Sequence, residues 1–322
     1  MDELLLESKP SRGPINPYAK VFFWCWGLAC VAMAGFRADN PTYREQLDNW
    51  HRQRVESLKA EGGWLNLAGL FWLHEGRNEA GTDPGHDLTF PADRAPAQVG
   101  TFTLTKGVVT FEAAPGAVVQ ADGAPVLGTK TIFAPGAAKP VTLSHGSLRW
   151  FVIKRGDRYA VRLRDLNNPL LTTFGGIERF PANEALRVQA RLEKPTTAHT
   201  IPIVDVTGQT TQQPLLGTLV FELAGQTHRL DAVGEGTDKL FILFGDATND
   251  HETYGSGRFL YADLPVRSDA SADVTLDFNR AINPPCAFTA FATCPLPPKQ
   301  NRLTAAGGPV AIRAGEKRYG DH

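Results

Sequence analysis

The residues best equipped for chemistry are concentrated between Asp246 and Asn301, DATNDHETYGSGRFLYADLPVRSDASADVTLDFNRAINPPCAFTAFATCPLPPKQN. A turn that only joins strands needs Gly, Asn or Asp at one or two positions, and this stretch carries far more. Asp246, Glu252 and Asp277 are the catalytic candidates, each at a strand end or in the adjoining loop, where a rigid scaffold can aim a carboxylate. Two carboxylates sharing a cleft can divide acid and base work, because burial or a like charge raises one pKa while the other stays ionised. That is the chemistry of a hydrolase or lyase. Tyr254, Arg258, Asn279, Asn283 and Asn301 would hold a polar substrate beside them. The structural alternative is that Asp246 and Asp277 cap turns and pair with Arg258 or Arg280.

The loop Gly255-Ser256-Gly257-Arg258 could cradle an anion such as a carboxylate or a sugar acid, since glycines admit a ligand to the backbone amides and Arg offers a two-pronged cation. A glycine hairpin with Arg258 in an ion pair is the competing reading. The phosphate-loop and dinucleotide spacings are absent, which argues against a nucleotide cofactor. Asp246, Asn249, Asp250 and Glu252 form an oxygen-rich run that would suit Ca²⁺, although the spacing and glycine of an EF-hand are missing. No cofactor is expected and no metal site is assigned, calcium being the one alternative left open. Cys286 and Cys294 flank AFTAFAT, a loop long enough to bring two α-carbons to disulfide distance. Cys286 as a nucleophile with His251 as base, or a zinc site of His251, Cys286 and Cys294, are the sharper alternatives.

Composition narrows the partners. The 322 residues are 42% apolar with a formal net charge of −1, and no basic run or basic-aromatic interleaving appears. Nucleic acid is therefore excluded as a partner, and a small-molecule or glycan ligand is expected. At the N-terminus, Lys9, Arg12 and Lys20 precede a 16-residue uncharged run, Val21 to Phe36, with Ala32-Met33-Ala34 as a signal-peptidase site. The run is shorter than the ~20 residues of a spanning helix. Residues 1–34 read as a cleaved signal peptide and the protein as exported, periplasmic or in the cell envelope. Membrane association would come only through an uncleaved anchor or lipidation at Cys30. Cleavage removes Cys25 and Cys30 and leaves Cys286 and Cys294 as a pair in an oxidising compartment.

The elements that must position these residues are mostly strands. Pro41 to Gly63 is the one helix, with Tyr43, Leu47, Trp50 and Leu58 on one face and Gly62-Gly63 as its stop. Beyond it, Trp64 to Leu73 is apolar; Trp64, Phe71 and Trp72 read as core, with a stacking surface for sugars as the alternative. Val99 to Glu112 alternates about Lys106-Gly107, and Ser147 to Asp165 about the turn Arg155-Gly156-Asp157-Arg158, as hairpins do. Thr172 to Phe180, Leu186 to Glu193 and Thr200 to Val206 add further strands, Leu215 to Leu223 and Thr227 to Val233 form another hairpin around Ala224-Gly225-Gln226, and Lys239 to Gly245 follows as a strand. The expectation is a mainly β fold: antiparallel sheets in a sandwich or barrel-like arrangement with one N-terminal amphipathic helix. Residues 35–322 are expected as one compact unit with two β lobes, about 64–195 and 196–322.

Several segments carry a resemblance: GWLNLAGLFWLHEGRNEAG (Gly63 to Gly81), RGDRYAVRLRD, FPANEALRVQA (Phe180 to Ala190), and above all DATNDHETYGSGRFLYADLP and LDFNRAINPPCAFTAFATCPLPPKQNRL. Together they resemble the uncharacterised prokaryotic domain-of-unknown-function family DUF1684. The resemblance implies that the Glu252-Thr253-Tyr254 loop with Arg258, the Asp277-Phe278-Asn279 strand end and the turn Asn283-Pro284-Pro285-Cys286 are this chain's versions of the family signature. It implies no particular reaction. The functional expectation is an exported, hydrolase-like enzyme acting on a polar small molecule or glycan fragment through the site in 246–301. The alternative is a non-catalytic envelope protein that binds a carbohydrate or acidic ligand.

Overall fold

The structure, a computed structural model, describes residues 41–137, 139–234, 239–265, 271–305 and 308–320. The segment read from sequence as a signal peptide, with Cys25 and Cys30, lies outside them. The fold is mainly β and its ladders are antiparallel, apart from the two-residue pairing of Gly76–Gly81 with Leu88–Thr89.

The helix spans Tyr43–Lys59 and buries Leu47 and Leu58. It stops before Gly63 because the chain folds back onto its last turn: the amide of Leu65 donates to the carbonyl of Leu58. A Cβ on Gly63 would lie 2.2 Å from that same carbonyl oxygen.

The hairpin predicted about Ala224-Gly225-Gln226 is present in the seven-stranded sheet below, and the two predicted earlier in the chain are present as well. Gly100–Thr105 pairs with Val108–Ala113 across Lys106 and Gly107, whose φ values of 48° and 84° place both in the left-handed region that suits a two-residue turn. Leu148–Arg155 pairs with Arg158–Asp165 across Gly156 and Asp157. The two earlier hairpins belong to a five-stranded and a six-stranded sheet, whose inward residues, among them Phe102, Phe111, Trp150, Val161 and Leu163, make one core. Trp150 packs edge-on to Phe90 at a centroid separation of 5.3 Å.

A seven-stranded sheet encloses a second core. It runs in the order Arg258–Asp263, Lys239–Phe244, Gln226–Gly234, Thr210–Leu223, Arg187–Glu193, Ser271–Asp277, with Thr200–Val204 paired to the start of Thr210–Leu223. Its interior is filled by Leu219, Leu230, Ile242, Phe244 and Leu276, and by Leu303, Ile312 and Ala314 from the C-terminal segment. The near-continuous apolar run Lys239–Phe244 has a direct cause. Leu240, Ile242 and Phe244 face this core, while Phe241 and Leu243 face a separate cluster with Ile203, Phe259 and Cys294. A strand buried on both faces loses its alternation.

One predicted strand is corrected. Thr172 to Phe180 is instead the end of a short helix, Leu170–Thr173, followed by irregular chain. Pro169 fixes the entry, and the Asn168 carboxamide oxygen accepts from the amide of Leu170 at 3.0 Å.

Candidate functional site

Each of the three candidate carboxylates has its own cationic partner. Asp246 and Arg258 form an ion pair at 2.7 Å with both side chains fully buried. Asp246 Oδ1 also accepts from the Thr248 amide (2.9 Å), the Thr248 hydroxyl (2.6 Å) and the Ile312 amide (3.1 Å). Arg258 donates to Asp246 and to the carbonyls of Ile312 and Ala314, so its fork clamps the C-terminal segment to the loop. Burial pulls the Arg258 pKa down, and Asp246 opposes that shift. The anticipated anion cradle is closed: a Cβ on Gly257 would meet Pro297 at 2.5 Å, and the Arg258 guanidinium is already engaged.

Glu252 lies near the surface and receives Arg313 Nε at 2.9 and 3.0 Å. Asp277 caps the one-turn helix Phe278–Arg280 by accepting from the Asn279 amide; it also accepts the Tyr43 hydroxyl at 2.8 Å and faces Arg280 Nε at 3.4 Å. In the oxygen-rich run weighed for calcium, Asp246 and Glu252 are thus both directed at arginines.

The amides among the predicted residues act mainly as cross-links. Asn301 donates to the carbonyls of Asp231 and Leu243 and accepts from the Asp231 amide, joining two strands to the C-terminal segment. Asn279 exchanges hydrogen bonds with the backbone of Asn183. Tyr254 packs half-buried with Phe174 and Phe288. Asn283 differs: its side-chain nitrogen donates to the Lys317 carbonyl at 2.7 Å, but its Oδ1 is buried without a partner. Cys286 and Cys294 are joined in a disulfide with α-carbons 6.1 Å apart.

Asn283 lines a cavity of about 310 Å³. Trp64, Phe259, Tyr261 and Ile282 give it apolar walls, the disulfide-bounded loop supplies Ala292 to Cys294, and three arginines, Arg54, Arg155 and Arg162, project to it. No carboxylate lines it. Arg54 is neutralised from behind by Glu316, whose fully buried carboxylate accepts Arg54 Nε at 3.1 Å and the Asn283 amide at 2.6 Å. Burial pushes the Glu316 pKa up, against the pull of Arg54.

Arg155 Nε donates to the Thr293 hydroxyl at 3.1 Å and has no acidic partner within ion-pair distance among the described residues. Arg162 is 5% exposed, its guanidinium lies 5.7 Å from the Trp64 ring centre, and its Nε is buried without a hydrogen-bond partner. Desolvation, then repulsion from Arg155 and Arg164, pushes its pKa down to about 10.

Of the predicted site residues, only Asn283 and Cys294 reach this cavity. Arg54, Arg155 and Arg162 were not singled out from sequence. The available signal was the period-two placement of Arg158, Arg162 and Arg164 opposite the buried Val161 and Leu163. Such a pattern ordinarily marks a solvent face; here the chain from Trp64 and the disulfide loop cover part of it.

The fold and cavity together describe a mainly β protein with an arginine-lined cavity. Over residues 172–317 the sequence matches the family described as protein of unknown function (DUF1684), and the chain resembles that family. The disulfide loop, Phe259 and Asn283 lie inside the matched segment, whereas Arg54, Trp64, Arg155 and Arg162 lie before it. Among solved structures, an uncharacterised protein of Haloarcula marismortui, determined by solution NMR, is 28% identical, with 47% of this chain and 80% of that chain covered and a TM-score of 0.39. No curated protein matches the chain.

Proposed function

We propose that this protein binds an acidic small molecule, such as a sugar acid, in the cavity of Arg54, Arg155 and Arg162, and that it does so as an exported protein of the cell envelope. The observation that carries the reading is Arg162: a buried guanidinium with an unpaired Nε, beside a second arginine, in a pocket without a carboxylate. Burying an uncompensated cation costs several kcal/mol, and a fold that keeps one is expected to recover that cost from a ligand. An oxyanion facing Arg162 and Arg155 supplies the missing charge. Trp64 offers a flat apolar face, and Asn283 Oδ1 calls for a donor, which a hydroxyl next to the acid provides. The Cys286 to Cys294 disulfide and the N-terminal signal pattern support export.

The hydrolase reading is less well supported by the geometry. Asp246, Glu252 and Asp277 are each spent on a separate arginine and none lines the cavity. Calorimetric titration with D-glucuronate, and with D-glucose as its neutral counterpart, tests the binding reading. Glucuronate is expected to bind with an affinity that weakens as salt is added, and glucose not to bind. Equal affinity for the two would overturn the role given to the arginines.

A further inference from the structure

A second cavity of about 290 Å³ adjoins the first, and the two share Arg155, Thr293 and Pro295. The second chamber differs in character: Lys154, Asp205, Thr211 and Gln213 give it ammonium, carboxylate, hydroxyl and amide groups, and no aromatic ring lines it. Between the chambers stands the hydrogen bond from Arg155 Nε to the Thr293 hydroxyl.

We infer that the two chambers form one elongated cleft for an acidic oligosaccharide, entered by parting the Arg155–Thr293 contact. This rests on the reading of the first chamber as an acid-binding site. The contact that would part is one hydrogen bond between two half-buried side chains, and its two sides differ in rigidity. Thr293 precedes Cys294, which the disulfide ties to Cys286. Arg155 ends a strand at the Gly156 turn, and the remaining hydrogen bond of its side chain is to the carbonyl of Lys154. Arg155 is therefore the part that moves, and an anion within reach offers its guanidinium a better partner than a neutral hydroxyl.

The chemistry of the second chamber fits the rest of such a ligand. Asp205 uses Oδ1 to hold its own turn, accepting from the Thr207 amide and hydroxyl and the Gln209 amide, and none of these bonds uses Oδ2. Oδ2, Thr211 and Gln213 together supply acceptors and donors of the kind that pair with sugar hydroxyls. Each chamber alone sits at the small end of the range for small-molecule sites, whereas a ligand filling both lies well inside it.

The test compares D-galacturonate with α-1,4-linked trigalacturonate by calorimetry on the wild-type protein, Gln213→Ala and Thr293→Val. The trimer is expected to bind at least tenfold more tightly than the monomer. Gln213→Ala should weaken the trimer several-fold and leave the monomer unchanged, and Thr293→Val, which releases Arg155 from its neutral partner, should strengthen trimer binding. Equal affinities for monomer and trimer, with Gln213→Ala silent, would overturn the two-chamber cleft while leaving the acid site standing. Absence of binding by both uronates would instead remove the acid site and the cleft together.

Discussion

Asp246 and Arg258, twelve residues apart, meet at 2.7 Å with no solvent access to either side chain. The pair joins the loop after Lys239–Phe244 to the first residues of Arg258–Asp263 and, through the carbonyls of Ile312 and Ala314, to the C-terminal segment. Its hydrogen bonds hold three pieces of chain together. Asp246→Asn should therefore lower stability by about 3–5 kcal/mol, since it leaves a buried guanidinium without its counter-charge. Urea unfolding measures this. A loss below about 1 kcal/mol together with abolished ligand binding would move Asp246 back to the site.

Glu252 should behave oppositely. Its pair with Arg313 lies at the surface, where ion pairs contribute little. Glu252→Ala is expected to leave the melting temperature and the affinity for glucuronate within experimental error. A clear loss of affinity would return Glu252 to a functional role.

The Cys286 to Cys294 bridge carries one wall of the first chamber. Closing so short a loop is worth about 2–3 kcal/mol. Replacing both cysteines by serine should lower stability by that amount and weaken ligand affinity more than tenfold, because Thr293 and Pro295 lose their anchor. Retained affinity in the double variant, by the same calorimetry, would show that the wall holds itself.

Tyr43 on the helix donates to Asp277, and its pKa is raised first by burial and then by that hydrogen bond. A raised tyrosine pKa means the folded state favours the neutral phenol. This contribution is present in full below the unfolded value near ~10 and is lost as pH rises through the folded value. Alkaline unfolding should thus begin above pH ~10 and be less steep in Tyr43→Phe. Identical alkaline profiles for the two proteins would count against the Tyr43 to Asp277 contact.

The sequence was informative where structure is local. Alternation and the turn residues Lys106-Gly107 and Gly156-Asp157 located the hairpins, and the two cysteines announced their bridge. Thr172 to Phe180 misled because its β-branched and aromatic residues follow Pro169 and Asn168, which open a short helix. The cavity was hidden for a different reason. Arg162 on its strand has the spacing of a solvent-facing arginine, and its burial arises only when Trp64 and the loop 286–295 pack over it from distant parts of the chain. Conversely, the polar density of 246–301 reflected cross-linking by Asn279, Asn301, Asp246 and Arg258 in a segment with many irregular turns to tie down.

On the proposed role, Arg162 is kept for a ligand and not for the fold. Melting curves of the wild-type protein and Arg162→Met, each with and without glucuronate, test it most directly. The wild-type protein should be stabilised by glucuronate, whereas Arg162→Met should melt at the same or a higher temperature and no longer respond, because an apolar side chain relieves the buried charge. An Arg162→Met protein that melts several degrees lower, beside a wild-type protein indifferent to glucuronate, would contradict it and make Arg162 a structural residue.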